Sequence, residues 1–395
     1  MSTLSPILRN HKDGLGGANR IPCPPQVAFS SSTCSTGLDF LKVSLWLDWS
    51  SSSFLTSLND RKHAIQETDD SEGPFREIGG LQFNLCRSGA GKYSYVLKSG
   101  DITLLFSNHK SDAPFPNCRI EIGSVSCWDP GWEYLFFRLR SWLCVFGARI
   151  VKEQVSEFHI TADLLGVSFQ DTDLIDLDRW IRRARKWSFA GECNTINYMS
   201  FGKGDLMLRI YDKTSELKKN AAKAVVFHNV WTKKIGCVPD HVTRVEYQLR
   251  RPVFKEMNIH TVDDLRNCQN AVWAYCTDDW TRFCSGEVDR DNKHQSRSVP
   301  AFLWSVVQSL SFVNSSEYKL VRRKPLLTDI EQLKKQAAGC LLSVCAAAGQ
   351  DFDDIEGHIS TAVNFLEQQI RENFKEYSKY VRKMFIKLNC SYVGI

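Results

Sequence analysis

Thr195–Leu217 reads TINYMSFGKGDLMLRIYDKTSEL, and its reading decides the fold. Two alternating runs, 195–201 and 205–213, flank the turn Gly202-Lys203-Gly204. A short glycine-bounded turn between two runs of period two is an antiparallel hairpin. In the second run Leu206, Leu208 and Ile210 take one side, and Arg209, Tyr211 and Lys213 the other, because strand side chains at i, i+2 and i+4 share a face.

Working outward, two more segments show the same division. Phe158, Ile160, Ala162 and Leu164 alternate with Glu157, His159, Thr161 and Asp163. Val245, Tyr247 and Leu249 alternate with Arg244, Glu246, Gln248 and Arg250. If the three strands share a sheet, one face carries an imidazole, two carboxylates, a tyrosine and several cations. A solvated face of an antiparallel sheet accounts for any one of these strands. The combination points to chemistry. His159 with Asp163 and Glu246 suits a divalent cation such as Mg2+ or Mn2+, which takes oxygen and imidazole ligands and polarises a phosphate. Tyr211 offers a phenolic oxygen as nucleophile, and Arg209 and Lys213, two residues to either side, are placed to favour the phenolate and hold a phosphate. Tyr198, one strand earlier, is the rival nucleophile.

The rest of the chain reads as an α+β fold built on antiparallel sheet with flanking helices. Residues 1–36, rich in Gly, Pro and Ser, read as a tail. From Gly37, Leu41, Val43, Leu45, Leu47 and Trp49 form one side of a strand, with further strands near 80–86, 92–98, 102–107 and 119–124. Asp129-Pro130 reads as a helix cap and first turn, opening a helix to about 148. A second helix is expected over 173–187 and another over 261–284. The strand–helix–strand layout around 130–148 suggests two similar halves, without an internal sequence repeat. Gly286–Pro300 is polar and reads as a linker, and 301–395 as a helical C-terminal region. The main domain is thus 37–285.

The chain has 395 residues, 43% hydrophobic and 24% charged, which is ordinary globular composition. A net charge of +5 permits nucleic-acid contact without arguing for it. Fourteen cysteines are scattered without a C-x-x-C pair, which argues against structural zinc and for free, mostly buried thiols. No secretory h-region and no run of about 18 apolar residues is visible, so the expectation is a cytoplasmic protein without a membrane partner. Ser88–Lys92, SGAGK, lacks Walker spacing, so any ATP-driven unwinding falls to a partner.

These motifs resemble the replication initiation factor family: rolling-circle plasmid initiators, their phage relatives and related relaxases. Thr195–Leu217 is similar to the family's aromatic-Gly turn and R-x-Y-D-K strand. Thr243–Arg251, TRVEYQLRR, is similar to its R-x-E strand, and Phe158–Leu165, FHITADLL, to its paired-Asp strand, with His159 at the first Asp position. Gly37–Leu41, GLDFL, resembles its entry strand. The resemblance implies an HUH-like, metal-dependent DNA-nicking enzyme. It would cut single-stranded or hairpin origin DNA, leaving a 5′-phosphotyrosine adduct and a free 3′-OH. It would act with a host helicase, and a homodimer is compatible with it. Carried over, Tyr211 is the nucleophile, Arg209 and Lys213 hold phosphate, and Asp163, Glu246 and His159 are the metal ligands. Arg244, Arg250 and the helical run Arg182, Arg183, Arg185 are candidate DNA contacts. Two other readings stand beside it: a non-catalytic origin- or hairpin-binding protein of the same fold, and a phosphodiesterase using activated water.

Overall fold

The computed structural model describes residues 29–68, 70–289, 298–312, 330–347 and 355–389, with Asp291, Leu320 and Arg322. Most of the expected N-terminal tail, residues 1–28, lies outside the described residues. The first half of the chain runs β1 (Cys34–Trp49), α1 (Ser53–Gln66), β2 (Glu72–Ile78), β3 (Leu81–Cys86), β4 (Tyr95–Ser99), β5 (Ile102–Phe106), β6 (Cys118–Ile122), α2 (Ser124–Ser126) and α3 (Trp132–Val145). The second half runs β7 (Ala148–Leu165), β8 (Trp180–Arg182), β9 (Trp187–Glu192), β10 (Thr195–Gly202) and β11 (Leu206–Asp212). It continues with α4 (Lys213–Leu217), α5 (Ala221–Ile235), β12 (Val242–Arg250), α6 (Arg251–Glu256), α7 (Val262–Ala274), β13 (Thr281–Phe283) and α8 (Phe302–Gln308).

Eleven strands form one sheet in the order β2-β3-β4-β5-β6-β1-β7-β12-β11-β10-β9, and β8 pairs with β13 separately. All of its recorded pairings are antiparallel. The two long strands β1 and β7 lie side by side at the centre. In each half the last strand in sequence, β6 or β12, returns to pair with the long first strand. The strand before it, β5 or β11, pairs on its outer side. The halves therefore share a connection scheme, as the strand–helix–strand layout suggested.

One sheet face is apolar and covered by helices. Phe54 of α1 packs on Phe106 and on Trp142 of α3, Phe254 of α6 stacks on Phe158 at 4.9 Å, and Trp273 of α7 meets Tyr247 edge-on at 5.6 Å. Aromatic pairs at such spacings add to the burial of large apolar area. Cys34, Cys118, Cys127, Cys276 and Cys284 are free and buried, as expected of thiols used for packing. Cys237 departs from that expectation, being disulfide-bonded.

The helix expected over 173–187 does not form. That stretch holds a 3-10 turn at Leu177–Arg179, strand β8 and the start of β9. Tertiary contacts override the local spacing: Trp180 wedges against Phe201, Phe283 and Trp304, and Arg182 pairs in register with Thr281. The helix expected over 261–284 forms as α7 over Val262–Ala274 and runs on as a π-helical turn over Tyr275–Trp280, and only its last residues become β13. Asp129 is not a cap. Its bond to Pro130 is cis, its backbone is extended at φ −145°, and α3 begins after Gly131 at φ +114°. The stretch read as a linker is pinned at both ends: Ser285 N donates to Val299 O at 2.9 Å and Ala301 N to Phe283 O at 2.9 Å. Beyond it, Trp304 of α8 is fully buried and donates to Thr277 O at 2.8 Å.

The chain divides into two compact units, residues 1–322 and 323–395. The second holds α9 (Ile330–Ala347), α10 (Ile355–Glu372) and α11 (Phe374–Asn389), with Ala362 buried and Phe365, Phe374 and Tyr380 exposed. Among the described residues no helix is long and apolar enough to cross a membrane.

Candidate active face

The three strands of the sequence argument are neighbours, β7-β12-β11. The registers are Asp163 opposite Arg244, Arg244 opposite Tyr211, Thr161 opposite Glu246, Glu246 opposite Arg209, and His159 opposite Gln248. Alternation then puts His159, Asp163, Arg244, Glu246, Arg209 and Tyr211 on one face, in two adjoining clusters.

The first cluster centres on Glu246, whose side chain is fully buried. Tyr211 donates its phenolic proton to Glu246 Oε2 at 3.1 Å. Arg209 pairs with Oε1, and His159 Nδ1 lies 3.1 Å from the same oxygen. Burial opposes ionisation, yet the bonds from His159 and Arg209 hold Glu246 down to about 2. His159 reaches Glu157 through its other nitrogen, at 3.3 Å. Burial works against its charge, but Glu157 and Glu246 raise its pKa. Tyr211 moves opposite to the expectation that nearby cations favour its phenolate. Burial first, and then the Glu246 charge, hold it well above 10. The resting phenol is therefore a proton donor and not a nucleophile. Tyr198 is the cross-strand partner of Tyr211, with ring centroids 6.5 Å apart.

The second cluster centres on Arg244, which is fully buried. Its Nε and Nη2 grip Asp163 at 2.5 and 2.8 Å, and its Nη1 pairs with Asp39. Asp163 also accepts from Trp231 Nε1 at 2.9 Å, and Asp39 from Ser124 Oγ at 2.6 Å. The Arg244 guanidinium sits over Phe227 at 4.7 Å and Trp128 at 5.3 Å. Burial opposes ionisation of Asp39, but Arg244 draws its pKa far below the carboxylate range. Phe227 and Trp231 both come from α5, which closes this end of the face.

Lys213 is not on the strand face. Asp212 ends β11 and caps α4, accepting from Ser215 N at 3.0 Å and Ser215 Oγ at 2.6 Å. Lys213 therefore opens a helix. It is buried, paired with Glu216 and set over the rings of Phe227 and Tyr211 at 4.6 and 5.7 Å. Burial and the Arg244 charge lower its pKa to about 8.

The expected metal ligands do not gather as one set. Asp163 is taken up by Arg244 and Trp231, while Glu246 sits with Arg209. The two nitrogens of His159 face different carboxylates, so Glu157 and Glu246 approach opposite edges of the ring. Among the described residues no group of three or more His, Cys, Asp or Glu is arranged to hold a metal ion. The trio Asp163, Glu246 and His159, as it stands, does not fit one divalent cation.

Of the expected DNA contacts, Arg244 is buried and unavailable. Arg250 is half exposed at the end of β12 and pairs with Glu157 at 3.3 Å. Arg182, Arg183 and Arg185 lie on β8 and the loop after it, not on a helix. Arg182 covers the buried ring of Phe201 and donates to Ala184 O at 3.2 Å. Arg183 lies 3.9 Å from Asp279. This segment borders the apolar side of the sheet, away from Tyr211.

Sequence reasoning missed Asp39 and α5. Strict alternation from Leu41 puts Asp39 on the apolar side, but a register shift between Leu38 and Phe40 turns it across to Arg244. The signal for α5 was present: Asn220 caps it, accepting from Lys223 N at 3.0 Å, and Gly236 ends it in the left-handed region at φ +81°.

No family model matches the chain, and no curated protein matches it. Among solved structures, the rolling circle replication initiator protein from Geobacillus stearothermophilus is similar at 15% identity, with a TM-score of 0.41, over 72% of this chain and 100% of that one. The likeness is distant, and no residue role follows from it.

Proposed function

We propose that the chain is a DNA-nicking enzyme that starts rolling-circle replication, with Tyr211 as nucleophile. The observation that carries this reading is the hydrogen bond from Tyr211 to Glu246, on a carboxylate also held by Arg209 and His159. A carboxylate held near 2 is a poor base. The two cations that depress it are the groups a phosphodiester would attract. As a backbone phosphate draws Arg209 and His159 toward itself, Glu246 regains basicity and takes the phenolic proton. The phenolate oxygen bonds to phosphorus, and the bond from phosphorus to the 3′-oxygen breaks. Protonated His159 supplies the proton that completes the 3′-hydroxyl. The 5′-side phosphate stays on Tyr211.

No step of this proposal is routed through Mg2+ or Mn2+, because Asp163, Glu246 and His159 as they stand do not form one ligand set. Single-stranded or hairpin origin DNA is the proposed substrate, a host helicase the proposed partner and the cytoplasm the proposed site of action. The test is incubation of the full chain with single-stranded DNA, with and without Mn2+, followed by denaturing electrophoresis. A DNA adduct that survives denaturation is expected, and cleavage without an adduct would overturn the tyrosine.

One observation favours a second reading, a non-catalytic origin- or hairpin-binding protein. Every carboxylate of the two clusters is already matched by a cation, an arrangement that is stable without chemistry. On that reading DNA binds tightly, and neither adduct nor cleavage product forms under any metal.

A further inference from the structure

A cavity of about 400 Å³ lies at the tip of the β10–β11 hairpin, remote from the strand face that carries Tyr211. Its walls come from the loop after β8 (Ala184, Arg185, Lys186), the hairpin turn (Gly202, Lys203, Asp205, Leu206), Trp280 and Arg322. Four cations meet one carboxylate there. Arg322 is already paired with Glu256. Arg185, Lys186 and Lys203 make no ion pair among the described residues and are exposed to solvent at the rim.

The walls are held by backbone bonds. Arg183 N donates to Trp280 O at 3.0 Å, and Gly202 N to Lys186 O at 2.8 Å. Arg250 N donates to Asp205 O at 2.9 Å, and Arg182 reaches from β8 to Ala184 O. Gly202, at φ +88°, lets the turn close against Trp280, whose ring lies 3.1 Å from where a Cβ would sit. The backbone that carries these three cations is fixed, so an anion can meet them without ordering the loop or the turn.

We infer that Arg185, Lys186 and Lys203, backed by Arg322, bind the phosphate backbone of single-stranded DNA outside the reacting segment. This inference rests on DNA being the substrate. Of the three arginines singled out in the 182–186 run, one contacts phosphate: Arg182 fixes the loop, Arg183 faces Asp279, and Arg185 points to the cavity with Lys186. The contact is sequence-independent, so it sets affinity and register and not base choice.

The test uses the full chain and a single-stranded oligonucleotide. Affinity is measured over a salt series for the wild type and for R185Q/K186Q/K203Q. Each lost contact lowers the log–log salt slope by about 0.7 on a single strand, so the triple variant should lose about 2. Wild-type protein that fails to bind DNA would overturn the proposed function itself. Wild-type binding with an unchanged slope in the triple variant would overturn only this site. A second measurement does not depend on the variant folding. Lys186 and Lys203 of the wild type are acylated with an amine reagent, alone, with DNA, and with inorganic phosphate at equal phosphate concentration. Protection by DNA and not by phosphate is expected. No protection, or equal protection by free phosphate, would overturn the proposal.

Discussion

Arg244 and Asp163 form a two-pronged ion pair, Nε to Oδ1 at 2.5 Å and Nη2 to Oδ2 at 2.8 Å, with neither side chain exposed. Breaking one partner of such a pair leaves an uncompensated buried charge, at a cost of several kcal/mol. Asp39 keeps half of the compensation. Asp163→Asn should therefore destabilise the fold by about 3 kcal/mol. Chemical denaturation measures that loss. The apparent demand for Mg2+ or Mn2+ in adduct formation should not change. A strong rise in that demand, at unchanged stability, would return Asp163 to the metal.

Tyr211→Phe removes the attacking oxygen and one hydrogen bond to Glu246. Adduct should disappear while DNA affinity stays within about twofold, since the phenolic oxygen is proposed to make the covalent bond and not the binding contacts. Tyr198→Phe should keep the adduct. The reverse pattern on a denaturing gel would move the nucleophile to β10.

Stability should fall on the acid side in a defined window. The folded pKa of Glu246, about 2, lies below its ordinary 4.5. Its contribution is therefore complete above about 4.5 and is lost as pH falls toward 2. Glu157, held to about 2 chiefly by its bond to His159, shares the window. The His159 contribution runs the other way: its pKa is raised, so its share is present below its unfolded value and lost as pH rises through the folded one. Thermal melts of Glu246→Gln should show a shallower acid decline and a lower melting temperature at pH 7. A decline as steep as that of the wild type would assign the acid transition elsewhere.

Gly202→Ala tests the hairpin tip. A Cβ there would meet Leu206 O at 2.6 Å, and the backbone sits at φ +88°. A loss of about 1–3 kcal/mol is expected, from strain in a left-handed turn. DNA affinity should weaken with it, because Lys203 and Lys186 are set by that turn. Unchanged melting and affinity would mean that the tip is free to rearrange.

Much of the candidate face was legible because strand chemistry is local. A period of two assigns His159, Asp163, Arg209, Tyr211, Arg244 and Glu246 to one side without knowledge of the fold. Pairing then depended only on the three strands meeting, and they do. What was not legible depends on chain reversals. The register shift beside Asp39 changes parity where no residue type announces it. Lys213 leaves the face because Asp212 spends its carboxylate on a cap. The cations of 182–186 follow the burial of Trp180, a tertiary event that local spacing cannot foresee.

Helix α5, the second of two between β11 and β12, makes the two ends of the face unlike. Phe227 and Trp231 roof the Asp163–Arg244 end, while Arg209 and Arg250 stay open at the other. Tyr211, in register with Arg244, stands next to the covered end. On the function proposed above, a DNA strand would therefore reach the tyrosine from the side of Arg209 and Arg250.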